Sequence, residues 1–364
     1  MSAATPLEGE PLAAAAILPK LPHSPSVWAQ AWARLRRDRV GMASLWVVLA
    51  FAVLVLLAQL QIVGAHWQRE VGTPFAPPHV VGPIADSAEK AVIDIHAGTN
   101  VDLSDVDPLA PRYREWDERA AQVKTVVTVK APTLAFGADR MGRDVLAKAI
   151  KGAQISILVG VAAALLATLI GTALGALAGF FGGRMDDFLE WVYNVFTSVP
   201  YILLIFALAA LFKSGPLAKH FGNGVWTVVI ILGAVGWTGI YRLVRAEYIK
   251  HRTREYVRAA EAIGASALSR MFGHILPNVS HVVLVQLSLH VVGFIKAEVI
   301  LSFLGLGVPL DMVSWGTMLA EAQTELVLGK WWQLATATLF MATFVTAFAL
   351  LTDALRDAMD PKLR

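Results

Sequence analysis

"ISILVGVAAALLATLIGTALGALAGF", Ile155 to Phe180, contains no charged residue. Wound as an α-helix at 1.5 Å per residue, it reaches about 39 Å, enough to cross the roughly 30 Å hydrocarbon core of a bilayer with some tilt. Gly171, Gly175 and Gly179 recur in it at four-residue spacing, and Ala163 and Ala167 extend the same face. Small side chains on one face let a second helix approach closely. We read this stripe as a packing seam within the chain, ahead of an interface between subunits.

Five more apolar runs lie on either side: Ser44 to Val63, about Trp191 to Phe212, about Val225 to Tyr241, about Val279 to Phe303, and about Gln333 to Thr352. The expectation is an all-α polytopic membrane protein with six transmembrane helices. A composition that is 56% hydrophobic agrees with this, as does a mean hydropathy of +0.57. The chain has no Cys, which excludes disulfides, thiolate metal sites and cysteine nucleophiles.

Orientation follows from where the short-loop Lys and Arg lie. Arg34, Arg36, Arg37 and Arg39 precede the first span, and Arg242, Arg245, Lys250, Arg252, Arg254, Arg258 and Arg270 fall between the fourth and fifth. Both groups are expected on the cytoplasmic side, so six spans leave the N- and C-termini in the cytoplasm.

Residues 1–43 are expected to be a cytoplasmic tail ending in an interfacial helix, "SVWAQAWARLRRDR", with Trp28 and Trp32 four apart. A plain topogenic flank is the equal alternative. Glu8 and Glu10 stand where a signal peptide has its basic region. After the first span, 44–63, residues 64–136 form an extracytoplasmic insertion rich in Pro, with one strand-like run at "KTVVTVK". Its length suits either contact with an external partner or a loop with some local structure. Residues 137–364 hold the remaining five helices, with a connecting loop at 244–278.

The residues offer no catalytic apparatus. The one Gly-Lys pair, Gly329-Lys330, is followed by Trp331 and has Thr324 at the leading position, so no phosphate-binding loop is formed. His281 and His290 are nine apart, on opposite helix faces, and Ser288 sits in no nucleophile motif.

The loop carries the unusual feature, "EYVRAAEAIGASALSRMFGHILPN", Glu255 to Asn278, a charged and Ala-rich segment between two apolar runs. Tyr256, Ala260, Ile263 and Ala267 share one helical face, with Arg254, Arg258 and Glu261 on the other. Gly264 permits a sharp change of direction, Ser266 is placed to cap a second helical piece, and Pro277 is expected to end it before the fifth span. A face built of Ala and Gly suits close approach by another protein better than burial in lipid headgroups.

This segment resembles the cytoplasmic loop motif of the membrane subunits of binding-protein-dependent ABC importers, Glu-Ala-Ala-x3-Gly-x9-Ile-x-Leu-Pro. Ala259, Ala260, Gly264, Leu276 and Pro277 match it, while Arg258 replaces the Glu and His274 the Ile. "DRMGRDVLAKAIKGAQISILVG", "GFFGGRMDDFLEWVYNVFTSVPYILL", "LSFLGLGVPLDMVSWGTMLAEA" and "LRDAMDPKLR" are similar to the second permease subunit of dipeptide, oligopeptide and nickel importers. The resemblance implies the type I importer permease fold in the bacterial inner membrane, and half of a translocation pore for peptides. Nickel chelates or another small solute are the alternative cargo, and a secondary transporter or channel the competing class.

The resemblance further implies a homologous second permease, an extracytoplasmic binding protein and two ATPase subunits as partners, embedded in the lipid bilayer, with no nucleic acid involved. ATP and magnesium would be bound by the ATPases, and no cofactor or metal by this chain. Tyr256, Arg258, Ala259, Ala260, Ile263, Gly264, Leu276 and Pro277 become the ATPase-coupling residues. For the translocation path or gate the candidates are Pro200, which is equally a packing kink, and Glu298, for which snorkelling to the headgroups is the even alternative. Lys296 is read as snorkelling.

Overall fold

The computed structural model describes residues 32–82, 108–109, 112–122, 130–214, 224–309 and 311–359. The tail up to residue 31, the "TVVTV" part of the strand-like run and the last five residues fall outside these. Among the described residues every regular element is a helix, joined by turns and loops that carry isolated bridges.

Helix α1 runs Arg39–Gln59, starting five residues before the apolar run. The hydrogen-bond ladder begins where Asp38 caps it, accepting from the amides of Val40 and Gly41, and not where charge ends. A short helix α2, Tyr113–Gln122, lies in the insertion. The long helix α3 is Val145–Phe181, capped by Asp144.

The third apolar run is not one rod. It is α4, Gly183–Thr197, and α5, Tyr201–Ser214, bent by 85° at the Ser198–Pro200 break. Pro200 lacks the N–H that would carry the ladder through. The hydroxyls of Thr197 and Ser198 donate instead to the carbonyls of Tyr193 and Val195, at 3.0 and 2.8 Å.

The fourth run is likewise two pieces, α6 Val225–Gly236 and α7 Thr238–His251, bent by 43°. There the ring of Phe294 fills the space a side chain on Gly236 would need, 2.1 Å from the Cβ position. Helix α8 is Glu255–Ala262. A π-helical stretch, Ser269–Ile275, then continues directly into α9, Leu276–Phe303.

Pro277 therefore does not end the helical piece, as its position in the sequence suggests. The wider π turn shifts the hydrogen-bond register immediately before it, where a missing N–H is tolerated. Helix α10, Trp315–Val327, opens with a capping box on Ser314 and Thr317; hydropathy gave no sign of it. Helix α11, Trp332–Met359, closes the chain.

Among the described residues four helices are long and apolar enough to cross a membrane, or up to six spans if each bent pair is one. The chain is a multi-pass membrane protein. Helix α3 is its hub, packing against α6, α7 and α9 along its length and against α1 and α11 near its start. The small-residue stripe faces α7. A Cβ on Gly171, Gly175 or Gly179 would sit 2.5, 2.7 and 2.5 Å from the carbonyl oxygens of Trp237, Tyr241 and Arg245. The seam is internal, as its reading from sequence had it.

Residues 70–79 are knit to 131–144 by isolated bridges, among them Glu70 with Arg143 and Pro78 with Leu134. The two ends of the insertion thus form a cap over the start of α3.

Candidate functional site

The stretch from Glu255 to Ile275 stands on its own small core. Val257, Met271, Ile275 and Val279 bury with Ala176 of α3 and with Ile240, Val244 and Tyr248 of α7. Tyr248 donates its hydroxyl to the carbonyl of Met271 at 3.1 Å, and Arg252 donates Nη1 to the carbonyl of Gly179 at 3.3 Å, closing the end of α3. Arg270 spans the segment, paired with Glu261 at 2.5 Å and lying over the Phe180 ring at 5.5 Å. These contacts tie the π-helical stretch to α7 and α3, and α8 to that stretch.

The outward face differs from the one expected. Ala260 is buried, and with Val257 forms the anchoring side of α8. Glu261 is 62% exposed, as expected of the solvated face, and from there pairs with Arg270. The reason is register: with 3.6 residues per turn, Val257 and Ala260 are three apart and share the inward edge. Periodicity shows that such an edge exists, and only the packing of α7 shows where it points.

Ile263 is 85% exposed, and Arg258, Ala259, Leu268 and Phe272 are exposed beside it. Tyr256 is partly exposed, its hydroxyl 2.8 Å from Nδ1 of His251; burial raises the phenol above its usual range, and the Arg254 charge acts against this. Gly264 follows with φ +87°, a conformation that suits Gly, and a Cβ there would meet nothing within 4 Å. Ser266 accepts from the Ser269 amide at 3.2 Å, capping the second piece. Leu276 is half-buried and Pro277 exposed.

At the opposite end of α3, about 55 Å away along its axis, lies a polar cluster that the sequence reading missed. Lys148, 1% exposed, donates to Asp139 at 2.8 Å, to Glu321 at 2.5 Å and to Gln333 at 3.3 Å. Arg143 pairs with Asp139 at 2.7 Å. Asp139 also accepts from the amides of Met141 and Arg143, both at 2.9 Å. The cluster joins the cap, α3, α10 and α11. Its signal was the placing of Lys148 at the edge of an apolar helix nine residues after Asp139.

Burial alone would raise the Asp139 carboxyl, but Lys148, Arg143 and the amide bonds together hold it below its usual value. Glu325 behaves the opposite way. Burial raises it to about 7, against the Arg140 amide bond at 3.2 Å and the Lys148 charge, with Asp139 and Glu321 adding to the rise. A raised carboxyl stabilises the fold fully below its unfolded pKa, near 4.5, and loses that contribution as pH climbs through about 7. We expect the melting temperature in detergent to fall between pH 5 and 8, by the equivalent of on the order of 2 kcal/mol. Glu325→Gln should flatten that slope; an unchanged slope would assign it to another group.

Glu298 is fully buried and accepts from the Ser302 hydroxyl at 2.6 Å, while Ser302 Oγ accepts from the Val308 amide at 3.0 Å. A carboxyl buried in this way does not fit snorkelling to the headgroups; Ser302, which it holds, ties the 304–308 turn back to α9. Lys296 is exposed, and Pro200 is exposed at the α4–α5 break. The structure does not bring Pro200 and Glu298 into one site.

Residues 171–364, more than half the chain, match the family described as binding-protein-dependent transport system inner membrane component, and residues 26–77 match the N-terminal transmembrane domain of oligopeptide transport permease C. The dipeptide transport system permease protein DppC of Bacillus subtilis is 31% identical over 92% of this chain and 85% of its own length. The oligopeptide transport system permease protein OppC of the same organism is 34% identical over 70% and 80%. Among solved structures, an inward-facing MetNI methionine ABC transporter chain is similar with a TM-score of 0.48 and 14% identity, covering 59% of this chain and 97% of that one. Matched over more than half its length by that family, and at 31% identity along nearly all of a curated relative, the chain belongs to the inner-membrane components of binding-protein-dependent transport systems.

Proposed function

We propose that the chain is a permease subunit of an ABC importer that takes up di- or oligopeptides, with the Glu255–Ile275 segment as the docking site for a partner ATPase. The peptide cargo is supported by the names of the relatives. The observation that carries the docking reading is the exposure of Ile263 and its neighbours on a segment whose other face is locked to α3 and α7. A rigid mount with an exposed apolar tip transmits a push from a partner into the membrane helices. Arg258, Ala259, Ile263 and Gly264 form the contact; Tyr256, Ala260, Leu276 and Pro277 position it.

In this reading each bent pair is one crossing, giving six spans with both termini in the cytoplasm. A homologous second permease completes the pore, two ATPases bind ATP and magnesium, and an extracytoplasmic binding protein delivers the peptide. Helix α8 then lies in the cytoplasm and the Lys148 cluster outside.

Because Ile263 barely touches its own chain, Ile263→Asp should leave folding unchanged. It should lower ATPase co-purification about tenfold or more and abolish peptide uptake, as loss of a buried interface anchor does. Gly264→Val should do the same, since a β-branched residue is strained at positive φ and would alter the tip. Full ATPase content and normal uptake in both variants would place the docking contact elsewhere.

A further inference from the structure

The seam between α1 and α11 is open along its membrane face. Ala43, Val47, Thr343 and Ala347 border a hollow of about 630 Å³ next to Arg39. Leu54, Leu339 and Thr343 border a second of about 330 Å³, and Thr343 lines both, so the two form one furrow. From Arg39 to Leu54 it runs about 22 Å at 1.5 Å per residue, longer than the roughly 15 Å depth of one leaflet. Its walls are mostly apolar, with the hydroxyl residues Thr343 and Thr346 along the α11 side and Ser44 and Arg39 at one end.

That end is basic. Arg36, Arg37 and Arg39 are exposed and make no ion pair among the described residues. Asp38, between Arg37 and Arg39 in the chain, is occupied, each of its oxygens accepting an α1 amide at 3.0 Å. Arg34 is committed to the carbonyl of Ala358, at 3.2 Å. Asp353, Arg356 and Asp357 stand exposed on the last turns of α11.

We propose that this furrow holds an acyl chain of an anionic phospholipid, whose phosphate is held by Arg36, Arg37 and Arg39. A single acyl chain suits a narrow, mostly apolar channel with Arg39 at its mouth and with Arg36 and Arg37 exposed close by in the chain, the Arg36 guanidinium lying over the Trp32 ring at 5.1 Å. Basic residues beside the membrane surface favour anionic lipid by about 1 kcal/mol each.

The proposal rests on α1 and α11 lying in the membrane, and on neither the cargo nor the docking reading. The full-length chain in mild detergent would be titrated with dioleoyl phosphatidylglycerol or dioleoyl phosphatidylcholine, and bound lipid counted by native mass spectrometry. One phosphatidylglycerol should be held about tenfold or more tighter than phosphatidylcholine. Replacing Arg36, Arg37 and Arg39 together by Gln should equalise the two lipids, and Thr343→Phe should displace both. Gly264→Val should bind lipid as the native chain does, which separates failure here from failure of the docking reading. Equal affinity of the native chain for the two lipids, a charge preference that survives the triple replacement, or exclusion of lipid by a co-purified membrane protein would overturn the proposal.

Discussion

Lys148→Met is expected to destabilise the chain by about 3 kcal/mol, because it strips the ammonium from two carboxylates packed against it. Asp139 is fully buried and keeps Arg143 and two amides, so the loss falls short of that for an isolated buried charge. Glu321 is 30% exposed and regains water. The cap at residues 131–144 and helix α10 meet α3 through these bonds, so this end of α3 should loosen first. Thermal unfolding in detergent, with hydrogen exchange over the cap, would measure this. Adding Glu321→Gln to Lys148→Met should recover part of the loss, since it removes a charge left with only the distant Arg143 guanidinium at 3.7 Å and the Gln333 amide. A loss under about 1 kcal/mol would mean that the cluster is hydrated and contributes as little as a surface pair.

Gly175→Leu is expected to cost at least about 2–3 kcal/mol, at the upper end for overpacking. Its Cβ would lie 2.7 Å from the Tyr241 carbonyl oxygen and 3.0 Å from Val244 Cβ. A backbone carbonyl inside a helix cannot swing aside as a flexible side chain does, so α7 must move off α3. Helix α7 carries Tyr248 and Arg252, which hold the π-helical stretch and the end of α3. Displacement should therefore reach the Glu255–Ile275 segment and weaken ATPase docking although Gly175 lies outside it. Gly293→Ala is the matched control: a Cβ there meets nothing within 4 Å, and Ala is the better helix former. Equal stability of the two variants in detergent would show that the seam is loose.

Long uncharged runs, the four-residue glycine stripe and the basic flanks made the membrane class, the number of apolar runs and the internal seam legible from residues alone. Bilayer thickness and obligatory backbone hydrogen bonding leave a 26-residue apolar run few other forms. The Ala-Gly segment before the fifth run was legible too, as a helix broken at Gly264.

What the sequence left open depends on residues distant in the chain. Beside the bend at Gly236 the Phe294 ring occupies the space a side chain would need, and no property of residues 225–251 encodes that ring. The anchoring edge of α8 was settled by α7 and the π-helical stretch, which turned Ala260 inward and Ile263 out. Hydropathy passes over α10 because its turns mix charged and apolar side chains, yet Glu321 and Glu325 on it meet Lys148 and Arg140 from far earlier in the chain. Periodicity reports which face of a helix is apolar; which partner that face meets, and which charges are neutralised there, is decided when the helices pack.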